Sequence, residues 1–118
     1  MRKVMYIVIN EDLNMSPGKI GAHCAHAVFD YLYLLNKAQD TIPTVFADVM
    51  DSFKNNGDTI IVLKAHEEVL LECERRGYVA VRDRGLTEVE PDSITAVCLG
   101  VYDKDEGIPK WIQRLRLL

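Results

Sequence analysis

Four ionisable side chains recur at helical spacing near the start of the chain. Lys19, His23, His26 and Asp30 follow one another at steps of three or four residues. At about 100° per residue these positions share one narrow arc of an α-helix, away from the apolar stripe of the same segment. A cation, two imidazoles and a carboxylate on one face can bind an anion or a metal ion. This helix is therefore the first candidate for a functional site.

Residue types alone leave three interpretations of this arc open. The first is a solvated helix face with charge pairs at i, i+4. The second is a metal site on His23, His26 and Asp30, for which i, i+3 histidines outside an HExxH pattern are weak support. The third is an anion site, because Gly18 and Lys19 stand at the helix start, where unpaired N–H groups favour a phosphate or carboxylate. The glycine spacings of ATP and NAD sites are absent from the segment.

The elements that must position these residues alternate between strands and helices. The 118-residue chain is 48% hydrophobic and 27% charged and contains no linker or repeat, which predicts one domain over residues 1–118. In chain order, we predict strands at 4–9, 59–63, 78–82 and 94–101, and helices at 20–35, 43–53, 67–76 and 109–114. The order β-α-α-β-α-β-β-α predicts an α/β fold with a small mixed sheet.

Charge and composition argue against two kinds of partner, nucleic acid bound by bulk charge and a membrane. A formal net charge of -4 argues against coating nucleic acid by bulk charge, so any nucleic-acid site must be local. The apolar run at 4–9 is cut by polar residues at 10–12, and no run reaches the roughly 20 apolar residues of a membrane span. We therefore expect no export signal, no membrane partner and a cytoplasmic location. Cys24, Cys73 and Cys98 are widely spaced among apolar residues, which favours reduced core thiols.

Three sequence blocks carry a family resemblance. The segments at 18–27, 61–64 and 81–91 read GKIGAHCAHA, IVLK and VRDRGLTEVEP. They resemble, in the same order, the GKIAAQCxHA, VVLK and IRDAGxTQIxPG segments of the archaeal and eukaryotic type of peptidyl-tRNA hydrolase. DLNM at 12–15 and RLRLL at 114–118 are similar to the TDLxM and closing LKLL of that family. Since the blocks span nearly the whole chain, it is identified as a member of this family.

The resemblance implies a fold, a reaction and an assembly. It implies a four-stranded mixed sheet flanked by helices and, commonly, a homodimer. The apolar helix residues Tyr31, Leu32, Leu34 and Leu35 fit a dimer contact. The implied reaction is hydrolysis of the ester that joins a peptide to the 3′ end of tRNA. Peptidyl-tRNA is then the substrate, and no metal or organic cofactor is expected.

The resemblance also implies the residues of the site. Carried over position by position, it places Lys19, His26, Lys64, Asp83 and Thr87 at or near the active site. Ester hydrolysis needs an oriented water and polar groups where charge develops on the carbonyl oxygen. We expect Asp83 to orient or activate the water, His26 to hold it or exchange a proton, and Thr87 to fix the aspartate or a substrate carbonyl. The lysines would stabilise the oxyanion. The residues expected to bind tRNA phosphates are Gly18, Lys19, Lys64, Arg82 and Arg84.

Four positions near this site depart from the family pattern. His23 and Glu88 replace glutamines, Leu86 stands where an arginine is common, and Asp92 replaces a glycine. These changes remove positive charge or add negative charge or bulk, which weakens phosphate attraction near the site. Two alternatives to an active peptidyl-tRNA hydrolase therefore stay open. One is a catalytically weak relative that binds tRNA, another anion or a protein partner, and the other is a hydrolase of a related acyl ester.

Overall fold

The elements of the chain follow the predicted α/β order. A computed structural model of the chain describes residues 2–38, 45–85 and 89–118. Its elements are β1 (Lys3–Asn10), α1 (Pro17–Ala38), α2 (Val45–Lys54), β2 (Thr59–Ala65), α3 (Glu67–Arg75), β3 (Val79–Arg82), β4 (Ile94–Asp103), α4 (Lys110–Gln113) and β5 (Arg116–Leu117). The predicted elements are confirmed with ends that differ by up to three residues. Positions 43–44 of the second predicted helix lie outside the described residues.

The strands form one mixed sheet in the order β3-β4-β1-β2-β5. β1 runs parallel to β2, and the other neighbours pair antiparallel. The predicted mixed sheet is confirmed, but it has five strands, where the family resemblance implied four. The extra strand is the two-residue β5, which pairs with Leu63 and Lys64 of β2. Two residues are too few for the alternation that identifies a strand in a sequence.

The central strand β1 is covered on both faces. Successive side chains of a strand point to opposite sides, so Val4, Tyr6 and Val8 face one hydrophobic cluster and Met5 and Ile7 face the other. The first cluster is closed by α3 and α4, and the second by α1 and α2. This double burial explains why β1 is an almost continuous apolar run.

The long helix α1 starts at a capped turn. The Lys19 backbone N–H donates to Ser16 Oγ at 3.3 Å, and Pro17 occupies the first helical position, where its missing N–H has no consequence. Ala27 is fully buried against the sheet. In the described part of the chain, no helix combines the length and the apolar character needed to cross a bilayer.

The three cysteines are free thiols. Cys73 and Cys98 are buried in the two core clusters, and Cys24 is half-buried on α1. Burial raises the pKa of all three thiols, that of Cys98 to about 11. Because the thiolate is the reactive form, these cysteines are suited to packing and not to chemistry.

Several strand ends meet at one edge of the sheet. In the pairing register, Ile9 near the end of β1 lies beside Lys64 near the end of β2 and beside Ala96 near the start of β4. Arg82 at the end of β3 pairs with Ile94 at the start of β4. We call this edge, where β1, β2 and β3 end and β4 begins, the carboxyl edge. The chain leaves β1 here and enters α1, so the loops and the helix start that could form a site are gathered on this side.

Two exposed hydrogen bonds of the Asp12 carboxylate join the turn after β1 to the start of α3 at the carboxyl edge. We call these two contacts the Asp12 clip. Asp12, in the 3-10 turn after β1, accepts the Glu67 backbone N–H at the start of α3 (2.8 Å) and lies 2.8 Å from His66 Nδ1. The Glu67 N–H and the His66 hydrogen bond hold the pKa of Asp12 below its ordinary value. The same Asp12 carboxylate raises the pKa of His66.

The His66 contact of the Asp12 clip predicts that the free energy of unfolding depends on pH. Because the pKa of His66 is raised in the folded state, its contribution is complete below the unfolded pKa of about 6.5 and is lost as pH rises through the folded pKa. We expect the free energy of unfolding of wild type to decline relative to His66→Gln as pH rises from about 6 through the raised folded pKa of His66. Urea denaturation at several pH values measures the difference. Parallel curves for the two proteins would contradict the prediction.

Candidate active site

Asp83 is held by the loop that follows β3. Its backbone N–H donates to the Ser93 carbonyl at 2.8 Å, and its carbonyl accepts the Asp92 N–H at 2.6 Å. The Gly85 N–H donates to Asp83 Oδ1 at 2.5 Å, as in an Asx turn. Gly85 has a φ of +77°, and a Cβ at that position would lie 2.8 Å from Pro91 Cα, so glycine is required there. These bonds fix the direction of the Asp83 carboxylate.

The first turns of α1 deliver two side chains to this carboxylate. Lys19 Nζ lies 2.6 Å from Asp83 Oδ2, and His23 Nε2 lies 3.1 Å from the same oxygen. The side chain of Asp83 is 4% exposed, that of His23 10% and that of Lys19 12%. This part of the arc on α1 is therefore not a solvated face. It is a nearly buried cluster in which a lysine and a histidine share one carboxylate oxygen.

The cluster sets the charge states of its members. The Lys19 ammonium, with the Gly85 N–H, holds the pKa of Asp83 below its ordinary value, so the carboxylate is ionised near neutral pH. Burial and then the Lys19 charge lower the pKa of His23, against the opposing effect of Asp83. Since the ordinary value is about 6.5, the His23 imidazole is mainly neutral at pH 7.

The Thr95 hydroxyl lies on the side of the His23 ring that faces away from Asp83. Thr95 Oγ1 on β4 lies 2.5 Å from His23 Nδ1 and 3.3 Å from the Val81 carbonyl oxygen on β3. Thr95 is completely buried. The imidazole is therefore held at both ring nitrogens, by the sheet on one side and by Asp83 on the other.

His26 lies one turn along α1, nearer to solvent. Its side chain is half exposed, and Nε2 lies 3.2 Å from Asp30 Oδ2. The rings of His26 and His23 are 6.1 Å apart between centroids. Within the described part of the chain, no hydrogen bond joins His26 to Asp83. His26 thus borders the Lys19–His23–Asp83 cluster without belonging to it.

Lys64 lies at the carboxyl edge but away from Asp83. It is on β2, which is separated from β3 by β1 and β4. At about 4.8 Å per strand the two positions are roughly 14 Å apart across the sheet. By strand alternation Lys64 is on the same face as Val62, which packs in the cluster under α1 and α2. The structure therefore places Lys64 on the face of the Asp83 cluster but not in contact with it.

The basic residues beside Asp83 differ in their surroundings. Arg82 binds Glu74 of α3 through Nη2 (2.6 Å) and Nε (3.2 Å), and its Nη1 donates to the Asp92 carbonyl at 2.8 Å. Arg82 thereby ties the loop after β3 to α3. Arg84 is exposed, and so is Gly18 at the start of α1. That these three bind phosphate stays a prediction.

Three positions singled out in the sequence lie outside the described residues: Leu86, Thr87 and Glu88. Of these three, Thr87 is the one that the family resemblance places at the site. In residues 2–38, 45–85 and 89–118, no group of three or more His, Cys, Asp or Glu side chains is arranged to hold a metal ion.

Sequence reasoning missed two members of the cluster. His23 shares the arc of α1 and departs from the family pattern, but the family resemblance does not assign it to the site. Its spacing of four residues from Lys19 was the signal that could have placed it there. Thr95 lies inside the apolar run of β4, and nothing in its sequence surroundings distinguishes it from a residue that fills the core.

Fold and site together define an α/β protein in which a helix start and a buried carboxylate meet at one sheet edge. The family model for peptidyl-tRNA hydrolase PTH2 matches residues 3–118. The chain therefore belongs to the peptidyl-tRNA hydrolase PTH2 family, which confirms the resemblance found in its sequence.

Curated relatives agree with the family match over nearly full length. A peptidyl-tRNA hydrolase of Thermoplasma acidophilum is 34% identical over 125 residues, covering 100% of both chains. One of Methanococcus vannielii is 37% identical over 120 residues, covering 95% of this chain and 96% of the relative. One of Methanocaldococcus jannaschii is 31% identical over 121 residues, covering 97% and 98%. The similarity therefore includes both α1 and the loop that carries Asp83.

Proposed function

We propose that this protein hydrolyses the ester bond of peptidyl-tRNA and releases the peptide and the tRNA. The observation that carries the proposal is the 2.6 Å contact between Lys19 Nζ and Asp83 Oδ2 at the carboxyl edge, in a chain of this family. An ionised carboxylate and an ammonium group side by side are suited to acyl transfer to water. The carboxylate attracts the hydrogens of the water, and the ammonium group attracts the negative charge that develops on the carbonyl oxygen.

Asp83 orients the attacking water. Because Lys19 keeps the pKa of Asp83 low, the carboxylate is a weak base and a good hydrogen-bond acceptor. The water oxygen attacks the carbonyl carbon, and the bond from that carbon to the tRNA 3′ oxygen then breaks. The proton lost by the water ends on the departing 3′ oxygen. Lys19 stabilises the oxyanion before the bond breaks, so both residues act in the transition state.

The remaining residues bind the substrate or exchange protons. His26, half exposed at the border of the cluster, can hold a second water or exchange a proton with solvent. Lys64, Arg84 and the N–H groups near Gly18 bind the terminal phosphates of the tRNA. Thr87 fixes the aspartate or a substrate carbonyl, a role that rests on the family resemblance alone.

Peptide release tests the proposed function directly. The experiment measures labelled peptide released from an N-blocked aminoacyl-tRNA, beside filter binding of the tRNA across salt concentrations. We expect turnover together with salt-dependent binding. Binding without turnover would favour the catalytically weak relative, and absence of both would contradict the link to tRNA.

The role of Lys64 predicts a change in salt dependence. We expect Lys64→Ala to weaken tRNA binding and to reduce the slope of log affinity against log salt by about 0.7 to 0.9, the loss of one phosphate contact. Lys54→Ala is the matched control, because Lys54 is an exposed lysine at the end of α2, before β2 begins at the opposite edge of the sheet. Equal slopes for Lys64→Ala and Lys54→Ala would exclude Lys64 from the phosphate site.

We also propose a homodimer and a cytoplasmic location. Phe29, Tyr33 and Leu34 on α1 are 67%, 51% and 52% exposed, which is unusual for large apolar side chains on one helix. Of the residues predicted from the sequence for this contact, Leu34 is exposed, whereas Tyr31, Leu32 and Leu35 are half-buried. Native mass measurement decides the assembly, with a dimer expected and a monomer at micromolar concentration contradicting it.

A further inference from the structure

Three buried side chains form a continuous line from the sheet to Asp83. Counted over the whole residue, backbone included, Thr95 is 0% exposed, His23 8% and Asp83 5%. His23 lies between the other two, with Nδ1 at 2.5 Å from Thr95 Oγ1 and Nε2 at 3.1 Å from Asp83 Oδ2. Both distances are those of hydrogen bonds, so the positions of the hydrogens follow from what each group can donate or accept.

Only one tautomer of the neutral His23 imidazole can form both hydrogen bonds, one with Asp83 and one with Thr95. A neutral imidazole has one N–H, and the Asp83 carboxylate can only accept, so that hydrogen must be on Nε2. Nδ1 is then an acceptor and takes the hydrogen of the Thr95 hydroxyl. The opposite tautomer would turn the Nε2 lone pair toward the carboxylate oxygen and leave a repulsive contact in a buried place.

The protonated His23 imidazole can also form both hydrogen bonds, once the Thr95 hydroxyl has rotated. With hydrogens on both nitrogens, Nδ1 donates to Thr95 Oγ1. The Thr95 hydrogen then turns to the Val81 carbonyl oxygen, 3.3 Å away. Thr95 therefore has a hydrogen-bond acceptor in either state of His23. With a valine or alanine in place of Thr95, the Nδ1 atom of His23 would lose this hydrogen-bond partner in both states.

We propose that His23 is a positioning residue for Asp83, that the Asp83 carboxylate selects its Nε2–H tautomer while the Thr95 hydroxyl serves Nδ1 in either charge state, and that protonation of His23 switches off peptide release. This inference rests on the proposed function. The family resemblance has glutamine at this position, and a glutamine can donate to Asp83 but cannot titrate. The pH response is thus a property of this chain.

The charges around His23 set the direction of the response. Lys19 and His26 face it from α1, Asp83 faces it from the end of β3, and the contact from β4 is the uncharged Thr95. Burial and Lys19 favour the neutral form, so His23 gains its proton below about pH 6.5. A second cation then lies against the oxygen that Lys19 already binds, which draws the carboxylate away from the water. Peptide release therefore falls as pH falls.

Nitrogen NMR of the imidazole tests the tautomer without any activity. At pH 7.5 in wild type we expect His23 Nε2 to carry the hydrogen and Nδ1 to have the shift of an unprotonated nitrogen. Asp83→Ala, which removes the acceptor at Nε2, should weaken this preference, and Asp103→Ala, which removes a carboxylate at the opposite edge of the sheet, should leave it unchanged. A wild-type Nδ1–H tautomer, or the same tautomer population in Asp83→Ala, would overturn the proposal.

Single-turnover peptide release across pH tests the consequence. Wild type should show an acid limb with an apparent pKa below about 6.5. We expect this limb to disappear in His23→Gln, so the rate of that variant relative to wild type rises as pH falls. An unaltered acid limb in His23→Gln would overturn the proposal.

The two tests separate this inference from the proposed function. If wild type releases no peptide at any pH, the proposed function fails, and the imidazole spectrum still decides between the tautomers. If wild type releases peptide but His23→Gln keeps the acid limb, the proposed function survives and the positioning role does not.

Discussion

Replacing Asp83 with asparagine is expected to slow peptide release at least tenfold, which corresponds to about 1.4 kcal/mol or more of barrier. Asparagine keeps the size of the side chain and can still accept the Gly85 N–H, so the loop after β3 retains its shape. It loses the charge that orients the water, and it removes the negative charge that faces the Lys19 ammonium. Binding of tRNA should change much less than the rate of release.

Asp103 offers a matched control for this substitution. Its Oδ1 accepts the Asp105 N–H at 2.9 Å and its Oδ2 lies 3.5 Å from Lys3 Nζ, so it reproduces the turn and the ion pair of Asp83 at the opposite edge of the sheet. Asp103→Asn should therefore disturb folding in a comparable way and leave peptide release near the wild-type rate. A folded Asp83→Asn protein as active as Asp103→Asn would remove Asp83 from the mechanism.

Replacing Lys19 with methionine is the second substitution with a large expected effect. The apolar stem is kept and the charge is lost, so the developing oxyanion loses its stabilising cation. We expect kcat/KM for peptide release to fall at least tenfold, again about 1.4 kcal/mol or more. Lys3→Met removes the corresponding partner of Asp103 and is the control.

The same substitution should change two titrations in known directions. Without the Lys19 charge, the pKa of Asp83 rises toward its ordinary value and that of His23 also rises. A carboxyl with a lowered folded pKa adds stability above its unfolded pKa of about 3.9 and loses it as pH falls through the folded value. Lys19→Met should therefore be less stable than wild type at pH 7, with the difference shrinking in acid. A stability difference that grows as pH falls would contradict this assignment.

Much of the fold could be predicted because local patterns were strong. The apolar run of β1 reflects burial on both faces, and the three-and-four spacing of α1 reflects a helix with one side against the sheet. The strand β5 could not be predicted, since it exists only through its pairing with Leu63 and Lys64. Pairing of a short edge strand is a property of the tertiary structure and leaves no periodic pattern in the sequence.

In the candidate site, too, features with a local sequence pattern could be predicted and features set by tertiary contacts could not. The arc of Lys19, His23, His26 and Asp30 could be derived from helical geometry, but whether that arc faces solvent could not. Residue spacing fixes which side chains share a face, whereas burial depends on what packs against it. The loop after β3 brings Asp83 onto this arc, and only the resemblance to a family connected the two in advance. The contact of Thr95 with His23 depends on the side-chain direction in β4, for which the sequence gives no local signal.

We propose that Lys19 and Asp83 act as one unit on the ester. A double-mutant cycle of single-turnover peptide release, with wild type, Lys19→Met, Asp83→Asn and the double variant, measures this coupling. If the two residues form one unit, each single variant loses at least tenfold and the double variant is no slower than the slower single one. Losses that multiply in the double variant, or a folded single variant with the wild-type rate, would contradict it.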